Sequence, residues 1–215
     1  DYQQAGGRDA TTAVMTLYLD IETLPAPAGS EEQLREVYER KKSKSGSFAD
    51  YIRGTSFSGN WGRILCIGIA IDGAPATILS GSEPEILTAF WAQAADASLL
   101  VGHNALDFDL PFIYKRSIVH SVKPSLQLSF EKFQISPIFD TMRVWDQWST
   151  PATGLDQLAR ILGLESSKQG IDGSQVYDYY LAGRTDEIYS YCKRDVELTR
   201  AIHRRLVFAA EGETP

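Results

Sequence analysis

The stretch "LYLDIETLP", Leu17–Pro25, begins as a β-strand and then departs from what a buried strand tolerates. Leu17, Leu19 and Ile21 fall on one face at the period of a strand, while Tyr18, Asp20 and Glu22 fall on the other. Two carboxylates therefore stand side by side on an otherwise core-like segment. Their like charges repel, and burial costs each of them several kcal/mol unless positive charge compensates. The strand implies a cation, and the rest of that cation's ligands must come from elsewhere in the chain.

The C-terminal segment "TDEIYSYCKRDVELTRAIHRRLVF" repeats the anomaly on a helix, for which Thr185 is the expected cap. Ile188, Cys192, Thr199, Ile202 and Leu206 form an apolar stripe spaced four, seven, three and four residues apart. Asp195 fills the long gap, so it places a charge on the core-facing side. Tyr191 lies one turn before it on nearly the same face. A third segment, "VGHNALDFDLPF", carries Asn104 at a strand end and Asp109 at a helix start, where capping alone would account for either. Taken together, these are four carboxylates, an Asn and a Tyr from three distant segments. Hard oxygen ligands without paired Cys or His select Mg²⁺ or Mn²⁺ over zinc. Two such ions would neutralise the cluster, activate water and stabilise attacking and leaving oxygens, which is what phosphodiester hydrolysis requires.

The bulk properties set bounds. A chain of 215 residues accommodates one sizeable α/β domain, expected over residues 15–209 and followed by a polar tail at 210–215. Residues 1–14 lack the profile of a secretory signal and read as a disordered leader or cloning remnant ahead of Met15. No apolar run reaches the length of a membrane span, so no membrane partner is expected. Two cysteines, Cys66 and Cys192, form no disulfide framework, and a reducing cytoplasm fits them best. The net charge of −7 argues against electrostatic coating of nucleic acid, though not against gripping a strand end through metal ions.

Periodicity gives the order of elements. A helix capped by Ser30, with Glu31 and Glu32 in its first turn, runs to about Lys42 after the first strand, and the run Arg40–Lys44 is a solvated helix end or a basic flap over a phosphate backbone. A hairpin turns at Asp72–Gly73, a helix follows the Ser82 cap, and a short strand ends near Asn104. A helix with Pro111 in its first turn, a last strand at "SPIFD" and a series of helices complete the chain. His103, His120 and His203 read as ordinary surface or turn residues.

The three segments "DIET", "NALDFD" and "YCKRD" resemble the three exonuclease motifs of the DEDD superfamily. Their form is similar to the 3′–5′ exonuclease domain of family-B DNA polymerases, and most of all to its stand-alone predicted bacterial relatives. The tyrosine branch is indicated, because Tyr191 stands four residues before Asp195 and the histidine slot five before it holds Ser190. The resemblance implies an RNase H-like fold, a mixed five-stranded sheet with its first three strands antiparallel, flanked by helices. It implies that Asp20, Glu22, Asp109 and Asp195 hold two Mg²⁺ or Mn²⁺ ions and that Tyr191 joins them in catalysis. Thr23 and Leu24 match positions touching the terminal nucleotide, Asn104 and Phe108 match strand-contacting positions, and Lys168 is a candidate phosphate contact. The expected substrate is the 3′ end of single-stranded DNA or RNA, with DNA slightly favoured. No polymerase is encoded in these residues, so proofreading in cis is not expected. Two other readings compete. A catalytically silent nucleic-acid-binding module would lack a carboxylate, and none is missing. An aspartyl-phosphate nucleotidase would need D-x-D where "DIE" stands.

Overall fold

A computed structural model of the chain describes residues 15–40, 46–166 and 171–210. Lys41, Lys42, Lys44 and Lys168 lie outside the described residues, as do the expected leader and nearly all of the expected tail. Among the described residues, β1 (Thr16–Leu24), β2 (Arg63–Ile71), β3 (Thr77–Leu79), β4 (Leu99–Gly102) and β5 (Ile138–Asp140) form one sheet in the order β3-β2-β1-β4-β5. The first three strands pair antiparallel, while β4 and β5 add parallel to β1 and to each other. The expected mixed α/β sheet is therefore present, with the acidic strand at its centre.

The alternation in "LYLDIETL" sorts β1 between two layers. Leu17, Leu19 and Ile21 join a core with Ile86, Leu87, Phe90 and Trp91 of α3 (Glu83–Ala94) and Leu110, Phe112 and Ile113 of α4 (Asp109–Val119). On the opposite face Tyr18 packs with Val196 of the long helix α8 (Thr185–Leu206), beside Ala70, Val101 and Phe139. Each fully buried aliphatic side chain contributes about 1.5–3 kcal/mol, so the apolar face of β1 anchors the strand while the other face is left for chemistry.

Smaller elements follow their local signals. A 3-10 turn at Ala28–Ser30 leads into α1 (Glu31–Arg40), which starts directly after Ser30 with Glu31 and Glu32 in its first turn. α2 (Phe48–Gly54) and α3 both start with capping boxes, Ser47 with Asp50 and Ser82 with Glu85. α5 (Thr141–Asp146), α6 (Leu155–Ile161) and α7 (Val176–Leu181) connect β5 to α8. α8 begins at Thr185 with Arg184 in the cap position and no side-chain cap, which corrects the expectation that Thr185 caps it.

The three histidines are not idle surface residues. His203 is buried, and its Nδ1 lies 3.0 Å from the Tyr18 hydroxyl. His120 Nε2 sits 2.7 Å from Glu83, which also takes two hydrogen bonds from Arg116 and one from the Ile64 N–H. His103 bridges the Thr141 hydroxyl and the Thr153 carbonyl. Each partner lies tens of residues away in the chain, so no local pattern announces the contact.

Candidate active site

Strand geometry delivers the first two carboxylates. Asp20 lies opposite Gly68 and Glu22 opposite Cys66 on β2, and the pairing shifts by one residue between Glu22 and Thr23. Such a bulge bends the strand end and re-aims its last side chains. Beyond it the Thr23 hydroxyl donates to the Ser56 carbonyl at 2.7 Å, and Leu24 is buried.

The second segment is a tight turn. Asn104 adopts φ +63°, a left-handed conformation that Asn tolerates better than most residues. Its carbonyl accepts from the Asp107 and Phe108 N–H groups, and the chain then enters α4 at Asp109. Asp109 is buried, and its Oδ1 accepts the Ile21 N–H at 3.0 Å, tying α4 to the middle of β1. Phe108 is half-buried, its ring 5.7 Å from that of Phe112.

The third segment arrives on α8, which brings Tyr191, Cys192 and Asp195 against β1 and β2. Gly68 makes this possible. A Cβ at that position would meet Cys192 Sγ and Val196 Cγ2 at 2.8 Å each, so the helix rests almost directly on the sheet. Cys192 Sγ lies 3.6 Å from the Asp20 carbonyl as its donor.

The outcome is an acidic centre with Glu22, Asp109, Asp195 and Tyr191 all buried and the Asp20 side chain reaching into it. One ligand atom each from Asp20, Glu22 and Cys192 lie within 4.8 Å of one another. The thiol is a member the sequence reading assigned only to the apolar stripe; its position next to Tyr191 on the core-facing side was the available signal. Burial, then the charges of Asp195, Glu22 and Asp109, push the Asp20 carboxyl well above the usual range. Burial dominates for Glu22 as well, followed by Cys66, Asp195 and Asp109. Asp109 is pushed up to about 7, mainly by burial and against the pull of backbone N–H groups. Among the described residues, no Lys or Arg forms an ion pair with Asp20, Glu22 or Asp109. The buried Oδ2 of Asp20 has no hydrogen-bond partner. An orphaned acceptor among carboxylates that repel one another fits a cation-binding centre made of hard oxygen donors.

Tyr191 is shaped by the same field. Burial first, then Asp195, Glu22 and Asp20, raise its phenol above the ordinary value, and its hydroxyl hydrogen-bonds with Asp195. A cavity of about 330 Å³ opens beside Tyr191 and Asp195, lined by Gly154, Leu155, Gln157 and Gly173.

Asp140 was not singled out in the sequence. It is buried at the end of β5, where its Oδ1 accepts from the Asn104, Met142 and Arg143 N–H groups and its Oδ2 from that of Leu106. One carboxylate thus caps α5 and fixes the turn that leads to Asp109. An Asp at a strand end ahead of a helix was the visible half of this signal. Its grip on a turn more than thirty residues earlier was not.

A family described as "Predicted 3′-5′ exonuclease related to the exonuclease domain of PolB" matches residues 76–212. A DNA polymerase of Archaeoglobus fulgidus is 22% identical over 164 residues, which is 67% of this chain and 20% of that protein. The structure of the family B DNA polymerase from the archaeon Pyrobaculum calidifontis superposes with a TM-score of 0.64 and 16% identity over 90% of this chain. The match takes in 24% of that polymerase, so this chain spans a quarter or less of the polymerases it resembles. Likeness at this level shows the fold, that of a polymerase exonuclease domain with its RNase H-like sheet. Among the described residues no helix is long and apolar enough to cross a membrane.

Proposed function

Because this chain belongs to the family of predicted 3′–5′ exonucleases related to the exonuclease domain of PolB, we propose that it removes nucleotides one at a time from the 3′ end of single-stranded nucleic acid, DNA ahead of RNA. The observation that carries the reading is the meeting of Asp20, Glu22, Asp109 and Asp195, from three distant segments, in one buried centre with an orphaned acceptor. Asp20, Glu22 and Asp195 would hold one divalent cation, with Asp20 shared toward a second that Asp109 serves. Mg²⁺ or Mn²⁺ bound there supplies the missing positive charge, acidifies water and steadies the attacking and leaving oxygens.

The chain's own groups do the positioning. Water attacks phosphorus, an O–P bond forms, and the bond from phosphorus to the 3′ oxygen of the shortened strand breaks. Tyr191 aims that water and does not take its proton, because a phenol with an ordinary value of about 10 is a poor base at neutral pH. The backbone at Thr23 receives the terminal 3′-hydroxyl, Leu24 backs that pocket from within the core, and Asn104 and Phe108 guide the strand. Residues 15–209 act as one exonuclease unit, and the two buried free thiols suit a reducing cytoplasm.

The test uses single-stranded DNA and RNA labelled at either end. With Mg²⁺ or Mn²⁺ the 3′ label is released at once as a mononucleotide, while the 5′-labelled strand shortens stepwise and EDTA stops both. Release of the 5′ label first, binding without turnover, or undiminished cutting in EDTA would overturn the proposal.

A further inference from the structure

Beside the turn that carries Asn104 and Asp109 lies a second cavity of about 330 Å³, whose rim differs from the rest of the surface. Phe130, Phe133 and Trp148 line it, together with Asp107, Lys132 and Arg143. Phe133 is 74% exposed and Phe130 38%, although burial is what ordinarily rewards a phenylalanine. The rings of Phe133 and Trp148 stand 5.4 Å apart and tilted by 42°. Both residues are held at left-handed φ, +66° and +57°, a conformation that bulky side chains avoid. Two separate segments thus accept backbone strain to hold flat rings at the surface, and strain of this kind gathers where a chain binds something.

The charge around the rings selects the occupant. Arg143 is paired with Asp107, and Lys132 makes no ion pair among the described residues. Two cations therefore stand against one carboxylate along this rim, in a chain whose net charge is −7. Aromatic faces interleaved with cations match stacked bases and their phosphates, whereas an apolar peptide gains nothing from the lysine. The cleft also shares its scaffold with the acidic centre. Asp107 precedes Asp109 by two residues, and Asp140 binds the N–H groups of both Leu106 and Arg143.

We infer that this cleft is a stacking platform for the single strand a few nucleotides upstream of the bond being cut. The inference rests on the proposed nuclease reading and adds the path of its substrate. The strand runs from the acidic centre past Phe108 and lays successive bases on Phe133, Trp148 and Phe130, with Lys132 on its backbone.

The experiment compares KM for a strand of about ten nucleotides, a length typical of stacking grooves, with KM for a dinucleotide. The parent binds the longer strand more tightly. Phe133→Ala with Trp148→Ala loses at least about tenfold of that length advantage, within the range for removing base–aromatic stacking, while kcat on the long strand is retained. Phe133→Leu with Trp148→Leu keeps apolar bulk without π-faces and loses the advantage equally; both pairs are checked for folding by thermal melting. A folded Leu pair that keeps the full advantage overturns the platform and marks an apolar docking surface for protein. Undiminished length dependence in the Ala pair also overturns it while leaving the nuclease intact. A parent that hydrolyses neither substrate overturns the nuclease reading itself.

Discussion

Tyr191 and Asp195 sit one helical turn apart and are proposed to do different things, which substitution can separate. Tyr191→Phe keeps the ring and deletes one hydrogen bond, worth about 1–3 kcal/mol if felt in the transition state, or roughly ten- to a hundredfold in kcat. Asp195→Asn removes a ligand, so it should cost far more and weaken metal binding. The basic limb of the pH–rate profile should survive in the Phe variant; its disappearance would make the phenol the titrating base. Asp20→Asn should abolish turnover yet raise the Tm of the metal-free protein at pH 8, because it relieves a centre whose members push one another's carboxyls upward. A lower Tm would mean that Asp20 is held by attractions rather than repulsions. His203 offers a cleaner titration. Burial lowers its imidazole from 6.5 to about 4, so below 6.5 the unfolded chain gains a proton that the folded one refuses. The contribution of His203 to stability should therefore fall as pH drops through 6.5 toward 4 and level off below, by up to about 3 kcal/mol. It is opposite in sign to that of the raised carboxyls of the acidic centre, so it is read as the difference between parent and variant. His203→Gln removes this slope, and parallel stability curves for variant and parent would refute the assignment. At this scale the carboxylates were legible in the sequence, since a charge that breaks an apolar period is a local signal. His203 and Asp140 were not, because Tyr18 lies 185 residues from one and Asn104 lies 36 from the other.

The elements were legible where their signals are local. The Ser82 cap, the hairpin at Asp72–Gly73 and the alternation of β1 arise from neighbouring residues. The start of α8 did not, because Thr185 takes up the first helical position and leaves the cap to Arg184. What no element reveals alone is how closely two of them approach. Gly68 in "CIGIA" reads as a weak point in a strand, yet it sets the gap between β2 and α8. Gly68→Ala should force the helix outward, cost about 1–3 kcal/mol as overpacking does, and lower kcat because Tyr191 and Asp195 ride on the displaced helix. Gly29→Ala is the control, since a Cβ there meets nothing within 4 Å. Equal Tm and kcat for the two variants would show that α8 is not held to this clearance.

For the whole molecule the question is how the acidic centre is tolerated. A buried group of like charges is a standing penalty that a bound divalent cation converts into a gain. Mg²⁺ or Mn²⁺ should raise Tm, by about 2.7 kcal/mol in stability at a hundredfold excess over Kd, and Asp20→Asn should lose most of that increment. Thermal melting with and without EDTA measures both; an unchanged Tm in the parent would count against cation binding. Sheet order completes the picture, because β1 lies centrally, is tied to α4 through Ile21 and receives α8 across its face. That arrangement has a bearing on how the chain is made. Asp195 leaves a ribosome 175 residues after Asp20, on a helix that must form before it can dock against β1. A nascent chain therefore carries the first carboxylates through those 175 residues without the last one. If the chain is the nuclease proposed above, a product stopped short of Asp195 lacks one of the proposed metal ligands and should not cut nucleic acid until α8 docks.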